Sequence, residues 1–435
     1  MAEVNIRALA LTSIMEVLEE QVHCDTSLHS IWEANPQLTK QQRGFAARLV
    51  EGTVERCIEL DYILNRFSKV KVKKMKPVIR NILRMGVYQL KYMDSVPPSA
   101  ACNESVKLAV KRGFGGLRGY VNGVLRGISR DGLCLDYREL IADEVSRLSV
   151  VYSMPEWLVS GYISWFGREQ AEKIFASYYE ERCLTLAINR FQTDLEHFGK
   201  ELDAGGITWE ADARVPGAVK LIRFPSVQSI PGYEEGKFFV QDISSQLAVS
   251  SAGILPGDTV VDVCGAPGGK SMFSAMLAGS EGRVSVRDLT EYKVNLIQEN
   301  IRRLRLPMVE AKVFDARDRD APWIQKADVV IVDVPCSGLG VIGKKPDIKY
   351  HITPDSVREL VLLQREIVRC AGEYVKPGGH LLYSTCTIRP EENTGNRQWI
   401  EDNLPFRLEE ERTFLPGRED TDGFYYARFV STQPL

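Results

Sequence analysis

The chain has 435 residues, 26% of them charged, nine cysteines and a net charge of −3. That length suits two or three domains with a large core, and the composition is that of an ordinary globular protein, not a disordered or fibrous one. No run of 18 apolar residues is present to span a membrane, and the stretch from Met1 to Arg7 lacks the long apolar core of a signal peptide. The cysteines show no paired short spacing, so we expect neither a disulfide framework nor a metal site; thiols that stay reduced suit the cytoplasm.

The small net charge hides an asymmetry. Residues 1–132 hold 20 Lys and Arg against 13 Asp and Glu, +7, while the remainder holds 35 against 45, −10. A basic front domain is the usual electrostatic footprint of a nucleic-acid partner. Its densest run is Lys69-Val-Lys71-Val-Lys73-Lys74-Met-Lys76. Apolar residues at helical spacing predict helices over Ile6–Leu18, Gln42–Leu64, Val78–Tyr92 and Ala100–Lys111, with Val96-Pro97-Pro98 separating the last two. Residues 133–235 read as a small α+β unit. Pro155-Glu-Trp157 opens one helix and Arg168–Tyr179 forms another; Leu184–Arg190, Gly206–Glu210 and Ala218–Ile222 are short strands.

From residue 236 the pattern becomes α/β. Thr259–Val263 is a short apolar run of the kind buried in a parallel sheet. It breaks into the turn Cys264-Gly-Ala-Pro-Gly-Gly269, and a helix follows over Lys270–Leu277. Strand, glycine turn and helix make a nucleotide or nucleoside pocket at the carboxyl end of a sheet. A phosphate-binding P-loop does not fit, because Cys264 stands where its first glycine should be; a dinucleotide fingerprint fails at Pro267. Arg283–Asp288 is a second strand, ending in an acid 24 residues past Cys264, near the spacing at which such an acid takes ribose hydroxyls. Glu291–Leu304 is a helix, Ala311–Asp315 a third strand and Ala327–Asp333 a fourth. Cys336 follows in Asp333-Val-Pro-Cys336-Ser-Gly, and Cys386 ends a fifth strand in Tyr383-Ser-Thr-Cys386-Thr. One such cysteine would pass for a small core residue. Two at corresponding strand ends, where open α/β sheets place their chemistry, point to thiol chemistry.

These stretches together, with Phe239-Val-Gln241-Asp242, Lys345-Pro-Asp347, Pro390-Glu-Glu-Asn393 and Asp422-Gly-Phe424, resemble the RNA cytosine-5 methyltransferases of the Fmu/Sun and NOL1/NOP2 family. The front piece resembles the NusB-like RNA-binding domain at Arg80-Asn-Ile-Leu-Arg84, Val96-Pro97, Asn103-Glu-Ser-Val106 and Tyr120-Val-Asn122-Gly-Val-Leu125. That fusion is similar to the bacterial enzymes acting on small-subunit (16S) ribosomal RNA. The resemblance implies an all-α domain over 1–132, an α+β bridging domain over 133–235 and a Rossmann-like methyltransferase domain over 236–435. The family usually has Arg-x-Asn in the first bridging strand; here Ala187 precedes Ile188-Asn189.

The chemistry needs a thiolate that adds at carbon 6 of cytosine, turning the ring into an enamine whose carbon 5 is nucleophilic. Chemistry alone does not say which cysteine adds. The resemblance implies Cys386 as nucleophile and Cys336 as an aid to breakdown of the adduct, with Asp333 at the pyrimidine edge. It implies S-adenosylmethionine as cofactor, held by Cys264, Gly265, Ala266, Pro267, Gly268, Gly269, Lys270, Asp288, Asp315 and Asp333. Asp288 would take the ribose and Asp315 the adenine edge, Lys270 would cap and order the turn, and Cys264 would be structural. The expected partner is 16S ribosomal RNA before full subunit assembly, acted on by a monomer, with no membrane and no metal. The alternative is a catalytically inactive RNA-binding assembly or antitermination factor, which would have no chemical reason to keep both cysteines.

Overall fold

The computed structural model describes residues 4–180, 183–224 and 226–434. The chain divides into two units, one of Met1–Ala176 with Ile342–Ile352, the other of Ser177–Val341 with Thr353–Leu435.

The first unit is helical: α1 Ile6–Glu20, α2 Cys24–Ala34, α3 Lys40–Glu55, α4 Cys57–Phe67, α5 Pro77–Tyr92, α6 Pro98–Lys111, α7 Arg118–Asp131, α8 Tyr137–Leu140, α9 Glu144–Val151, α10 Glu156–Phe166 and α11 Arg168–Ser177. Local chemistry sets many of the ends. The Asn5 side chain accepts from the Ala8 N–H ahead of α1, Thr39 and Gln42 form a capping box on α3, and Pro77 and Pro98 occupy first positions. The expected single helix Gln42–Leu64 is two helices. The chain breaks at Arg56, and the Glu59 N–H in the first turn of α4 is taken by Ser153 Oγ at 2.9 Å. That cap comes from 94 residues away, so no local stop signal marks it. α2 was not among the expected helices. The core of this unit gathers Ile14, Leu49, Ile63, Ile82, Leu83 and Leu125, all fully buried.

The second unit holds two sheets. β1 Leu184–Ile188, β2 Thr208–Ala211, β3 Ala218–Arg223 and β4 Phe238–Val240 form an antiparallel sheet in the order β2-β3-β1-β4, with helix α12 Leu195–Ala204 between β1 and β2 in the chain. Helix α13 Ile243–Ser250 leads to the larger sheet. Its elements are β5 Thr259–Asp262, α14 Gly269–Ala278, β6 Arg283–Asp288, α15 Glu291–Leu304, β7 Val309–Val313 and β8 Ala327–Asp333. After the turn α16 Ile348–His351, which belongs to the first unit, come α17 Pro354–Gly372, β9 Val375–Thr385, α18 Thr394–Asn403, β10 Phe406–Phe414 and β11 Phe424–Ser431.

The seven strands run β10-β11-β9-β8-β5-β6-β7; the five from β9 to β7 are parallel, β11 is antiparallel to them, and the edge strand β10 pairs antiparallel with β11. This is the Rossmann-like arrangement expected for the catalytic half. The order reverses between β5 and β8, which makes the carboxyl ends of these strands the ligand-binding side. The third strand lies two residues earlier than expected, so Phe314 and Asp315 fall just past its end. Strand and helix layers enclose two cores, one around Val260, Val286, Ile297 and Ile331, the other around Val261, Val330, Val332 and Leu381.

Candidate active site

Four strand ends converge at the reversal point. β5 runs through Asp262 into the glycine turn, where backbone and sheet are pressed together. A Cβ on Gly265 would stand 2.2 Å from Val286 Cγ2, and Gly268 has φ +110°, a conformation that favours glycine. The turn lines a cavity of about 180 Å³ with Val240, Gln241, Asp242, Asp262, Lys270 and Asp333. A second cavity of about 220 Å³ adjoins it across Val240, Pro267 and Gly269, and Gly268 lies in its wall. Cys264, Gly265, Ala266, Pro267 and Gly269 all line the first. Burial pushes the Cys264 thiol well up, consistent with an inert side chain.

Asp288 closes the turn from behind. Its carboxylate accepts from the Ala266 N–H at 3.1 Å and from the Leu289 N–H at 2.8 Å, and pairs with Lys293 at 3.0 Å. Asp315 is engaged with Arg317, whose Nη2 donates at 2.6 Å, and lines neither cavity. Lys270 does not cap the turn as expected. Its Nζ donates to Asp333 at 2.8 Å and lies 4.9 Å from the Phe424 ring centroid. Burial works against its charge, but Asp333 and Asp262 outweigh burial and raise its pKa. The other Asp333 oxygen accepts from Ser384 Oγ at 2.7 Å.

Two polar groups at this cavity had no role in the sequence reading. The Gln241 side-chain nitrogen and oxygen are both buried without a hydrogen-bond partner. Asp262 is fully buried, accepts from Ser271 Oγ at 2.6 Å and leaves its Oδ1 unpartnered; burial pushes its carboxyl up to about 7. Asp262 has a visible signal, an acid that closes the short buried strand Thr259-Val-Val-Asp262. Buried orphan groups facing a cavity at a strand switch fit a polar nucleoside-type ligand such as S-adenosylmethionine.

Beside this cavity the structure brings the two cysteines together, Sγ to Sγ at 3.3 Å. Cys386 follows Thr385 at the end of β9, and Cys336 follows the paired end of β8, Asp333 being in register with Ser384. A buried network holds the Cys336 loop. The Ser337 N–H donates to Glu392 at 2.9 Å, Ser337 Oγ meets Thr387 Oγ1 at 2.8 Å, and Gln364 Nε2 donates to Pro335 O at 3.0 Å and to Glu392 at 2.9 Å. Asn393 donates to Thr387 O at 3.0 Å, and the Gly340 N–H to Cys386 O at 3.0 Å. Glu392 and Asn393, which in the sequence mark only a motif, are the struts under both thiols. The bond to Cys386, together with burial, pushes the Cys336 thiol well above its ordinary range.

In the bridging sheet, Asn189 is buried and donates to Gly236 O and Leu304 O, both at 2.8 Å, so it joins β1 to the end of α15. Arg190 donates to Pro216 O at 2.7 Å. In the front unit, Arg80 and Arg84 of the NusB-like motif are engaged with Glu19 and Asp61, Arg84 donating to Asp61 at 2.7 and 2.6 Å. Lys69, Lys71, Lys73, Lys74 and Lys76 are exposed, with Val72 and Met75 buried between them. No helix among the described residues is long and apolar enough to cross a membrane.

Three family models match the chain: the NusB family over residues 4–130, the ferredoxin-like domain of RsmF/B-like methyltransferases over 154–228, and the 16S rRNA methyltransferase RsmB/F over 254–430. The chain is 37% identical over 394 residues to a Bacillus subtilis protein named "Probable ribosomal RNA small subunit methyltransferase B", covering 90% of this chain and 87% of that one. It is 30% identical over 437 residues to the ribosomal RNA small subunit methyltransferase B of Cronobacter sakazakii, covering 98% and 99%. The crystal structure of PH0851 shares the fold with a TM-score of 0.82 at 24% identity, over 98% of this chain and 99% of that one. NSun6 from Pyrococcus horikoshii, solved with SFG, shares it with a TM-score of 0.61 at 20% identity, over 65% and 100%. By fold, motifs and these matches, the chain belongs to the ribosomal RNA small subunit methyltransferase B family.

Proposed function

We propose that this chain methylates carbon 5 of a cytosine in 16S ribosomal RNA through a covalent adduct between Cys386 and carbon 6 of the base. The observation that carries the reading is the pair of sulfurs 3.3 Å apart at neighbouring strand ends, beside a cavity lined by the glycine turn, Lys270 and Asp333. S-adenosylmethionine is the cofactor, and when bound it supplies the electrophilic methyl group. The turn residues 264–269, Gln241 and Asp262 would hold it, with Asp288 keeping the turn in shape.

The two thiols have different work. The bond to Cys386 and burial raise the Cys336 thiol well above its ordinary range, and the proposal gives Cys336 the donor's role in the 3.3 Å contact, with the Cys386 sulfur accepting. Addition of the Cys386 thiolate forms the S–C6 bond and shifts the ring electron pair to carbon 5. Asp333, held by Lys270 and Ser384, would meet the polar edge of the base. After methylation a water at the site would accept the carbon 5 proton, and the C5–H electron pair restores the C5=C6 double bond. The S–C6 bond breaks with its pair returning to the Cys386 sulfur, and that departing sulfur again meets the Cys336 S–H. The target base must leave any helix it occupies.

The helical unit would dock on RNA phosphates. Support comes from the exposed lysines 69–76 and from a groove of about 770 Å³ lined by Lys107, Arg118, Arg126, Asn103 and Asn122. The test is a map of 5-methylcytosine in 16S RNA from cells with and without the gene, repeated with purified protein and labelled cofactor. One cytosine should lose its mark without the gene; a methyl group on another atom, or an unchanged map, would overturn the proposal.

A further inference from the structure

We propose that His23, Asp347 and His351 form a binding site for one divalent transition-metal ion of the zinc type. All three lie in the helical unit. His23 is the residue before α2 and makes no side-chain cap bond there. Asp347 and His351 bracket the single turn α16, and Asp347 is 2% exposed. One Asp347 oxygen lies 2.8 Å from His23 Nδ1 and 3.6 Å from His351 Nδ1. One donor atom from each residue falls within 4.8 Å of the other two. The two imidazoles are 5.1 Å apart at 67°, and each turns its Nδ1 to the same carboxylate oxygen.

The independent observation is the state of His351. Its Nε2 lies 3.2 Å from the Val17 carbonyl, which can only accept, so Nε2 carries the hydrogen. That carbonyl is in the last turn of α1, where the following cap N–H turns to Glu16 instead. In a neutral ring the other nitrogen, Nδ1, is then a bare lone pair. It is buried without a hydrogen-bond partner and faces a carboxylate oxygen. Two lone pairs facing each other repel; a cation between them turns both contacts attractive. A ring N–H held by a backbone carbonyl is also the usual outer support of a metal-bound histidine.

Two imidazole nitrogens and one carboxylate oxygen suit Zn²⁺ and its divalent neighbours, whereas Mg²⁺ and Ca²⁺ take oxygen sets. Ligand distances of about 2.0–2.1 Å in a tetrahedron put donors roughly 3.4 Å apart. The 3.6 Å pair is there already, and His23, with a side chain 63% exposed, has room to open the 2.8 Å pair. A water completes the fourth position. The ion would clamp the 342–352 segment to the ends of α1 and α2, adding to the Lys345–Asp25 pair at 3.0 Å and the bond from Lys349 Nζ to Glu55 O at 2.8 Å.

The test is Zn²⁺ competition against a fluorescent chelator, using metal-stripped full-length protein with Cys336→Ser and Cys386→Ser, which removes the competing thiol pair. One equivalent should bind, and binding should weaken at least about tenfold in Asp347→Asn and in His351→Gln. Zn²⁺ should raise the melting temperature of the parent and not of these variants, with circular dichroism confirming that each is folded. If the buried variants fail to fold, His23→Gln at the exposed position carries the test, with the same tenfold loss expected. The proposal is overturned if the parent takes up no Zn²⁺ and ring NMR shows His351 protonated on both nitrogens, a proton alone bridging it to Asp347. It is equally overturned if uptake is unchanged in His23→Gln and His351→Gln.

Discussion

If the thiols divide their work as proposed, removing each should fail in a different way. Cys386→Ala removes the sulfur that forms the S–C6 bond, so neither methylated RNA nor covalent protein–RNA complex should appear. Cys336→Ala leaves that sulfur in place but takes away its S–H donor at 3.3 Å. A hydrogen bond to a charged group contributes about 1.5–3 kcal/mol, which is roughly a ten- to hundredfold change in rate. Adduct formation should therefore be slower by about that factor. Release should suffer more, because the departing thiolate has lost the donor that meets it. The covalent species should accumulate over time, as a slow band on a denaturing gel that nuclease digestion returns to protein size. The assay needs the RNA substrate, the cofactor and both variants side by side. A trapped band in Cys386→Ala instead would reverse the two roles, and full activity in both variants without trapping would end the covalent mechanism.

Three further outcomes follow from the geometry. A Cβ on Gly340 would stand 1.9 Å from Gly423 O and 2.8 Å from Cys386 O, so Gly340→Ala should cost about 1–3 kcal/mol of stability and displace Cys386; an unchanged melt with unchanged turnover would refute this. Asp262 has its carboxyl raised from 3.8 to about 7, so wild-type stability should fall as pH rises through that window, the buried charge being absent below it and fully present above. Against Asp262→Asn, which keeps an acceptor for Ser271, the difference should change by at most roughly 4 kcal/mol across the window, read from denaturant melts; a pH-independent difference would remove Asp262 as the cause. Replacing Lys73, Lys74 and Lys76 by Ala should lower the log–log salt slope of RNA binding by roughly 0.7–0.9 per lost contact and leave cofactor affinity alone, whereas an unaltered slope would make the run a solvated loop.

The catalytic half was largely legible because its strands are short and bounded by clear local signals: the glycine turn after Thr259–Asp262, the Thr290 cap of the helix after Arg283–Asp288, and Pro335 after Ala327–Asp333. Thr259–Asp262, Arg283–Asp288, Glu291–Leu304 and Ala327–Asp333 lie within a residue of where periodicity puts them. Features decided by distant partners were not legible. The Arg56 break depends on Ser153, and the β10–β11 hairpin rests on pairing with β9, its first strand being charge-rich. Lys270 looked like a local cap because its partner, Asp333, lies 63 residues on. His23 and Asp347 lie 324 residues apart, so the cysteine spacings that argued against a metal had no bearing on the His23–Asp347–His351 group.

Asp333 shows how pocket and thiols are coupled. Lys270 reaches it from α14, the helix that opens at the cofactor turn, and Ser384 from β9, two residues before Cys386. One carboxylate thus bridges the turn and the strand that leads to Cys386, the proposed nucleophile. A carboxylate has about four lone-pair positions, and these two donors leave capacity for the edge of a base. The Lys270 ammonium, favoured by both Asp333 and Asp262 against the effect of burial, keeps a positive charge near the place where the proposed mechanism forms a thiolate. The bridge spans the strands on either side of the order reversal, β5 and β8, together with β9. Because β5, β8 and β9 are parallel, the turn and both thiols lie at one edge of the sheet, and the reversal opens the crevice there in which a single side chain touches both.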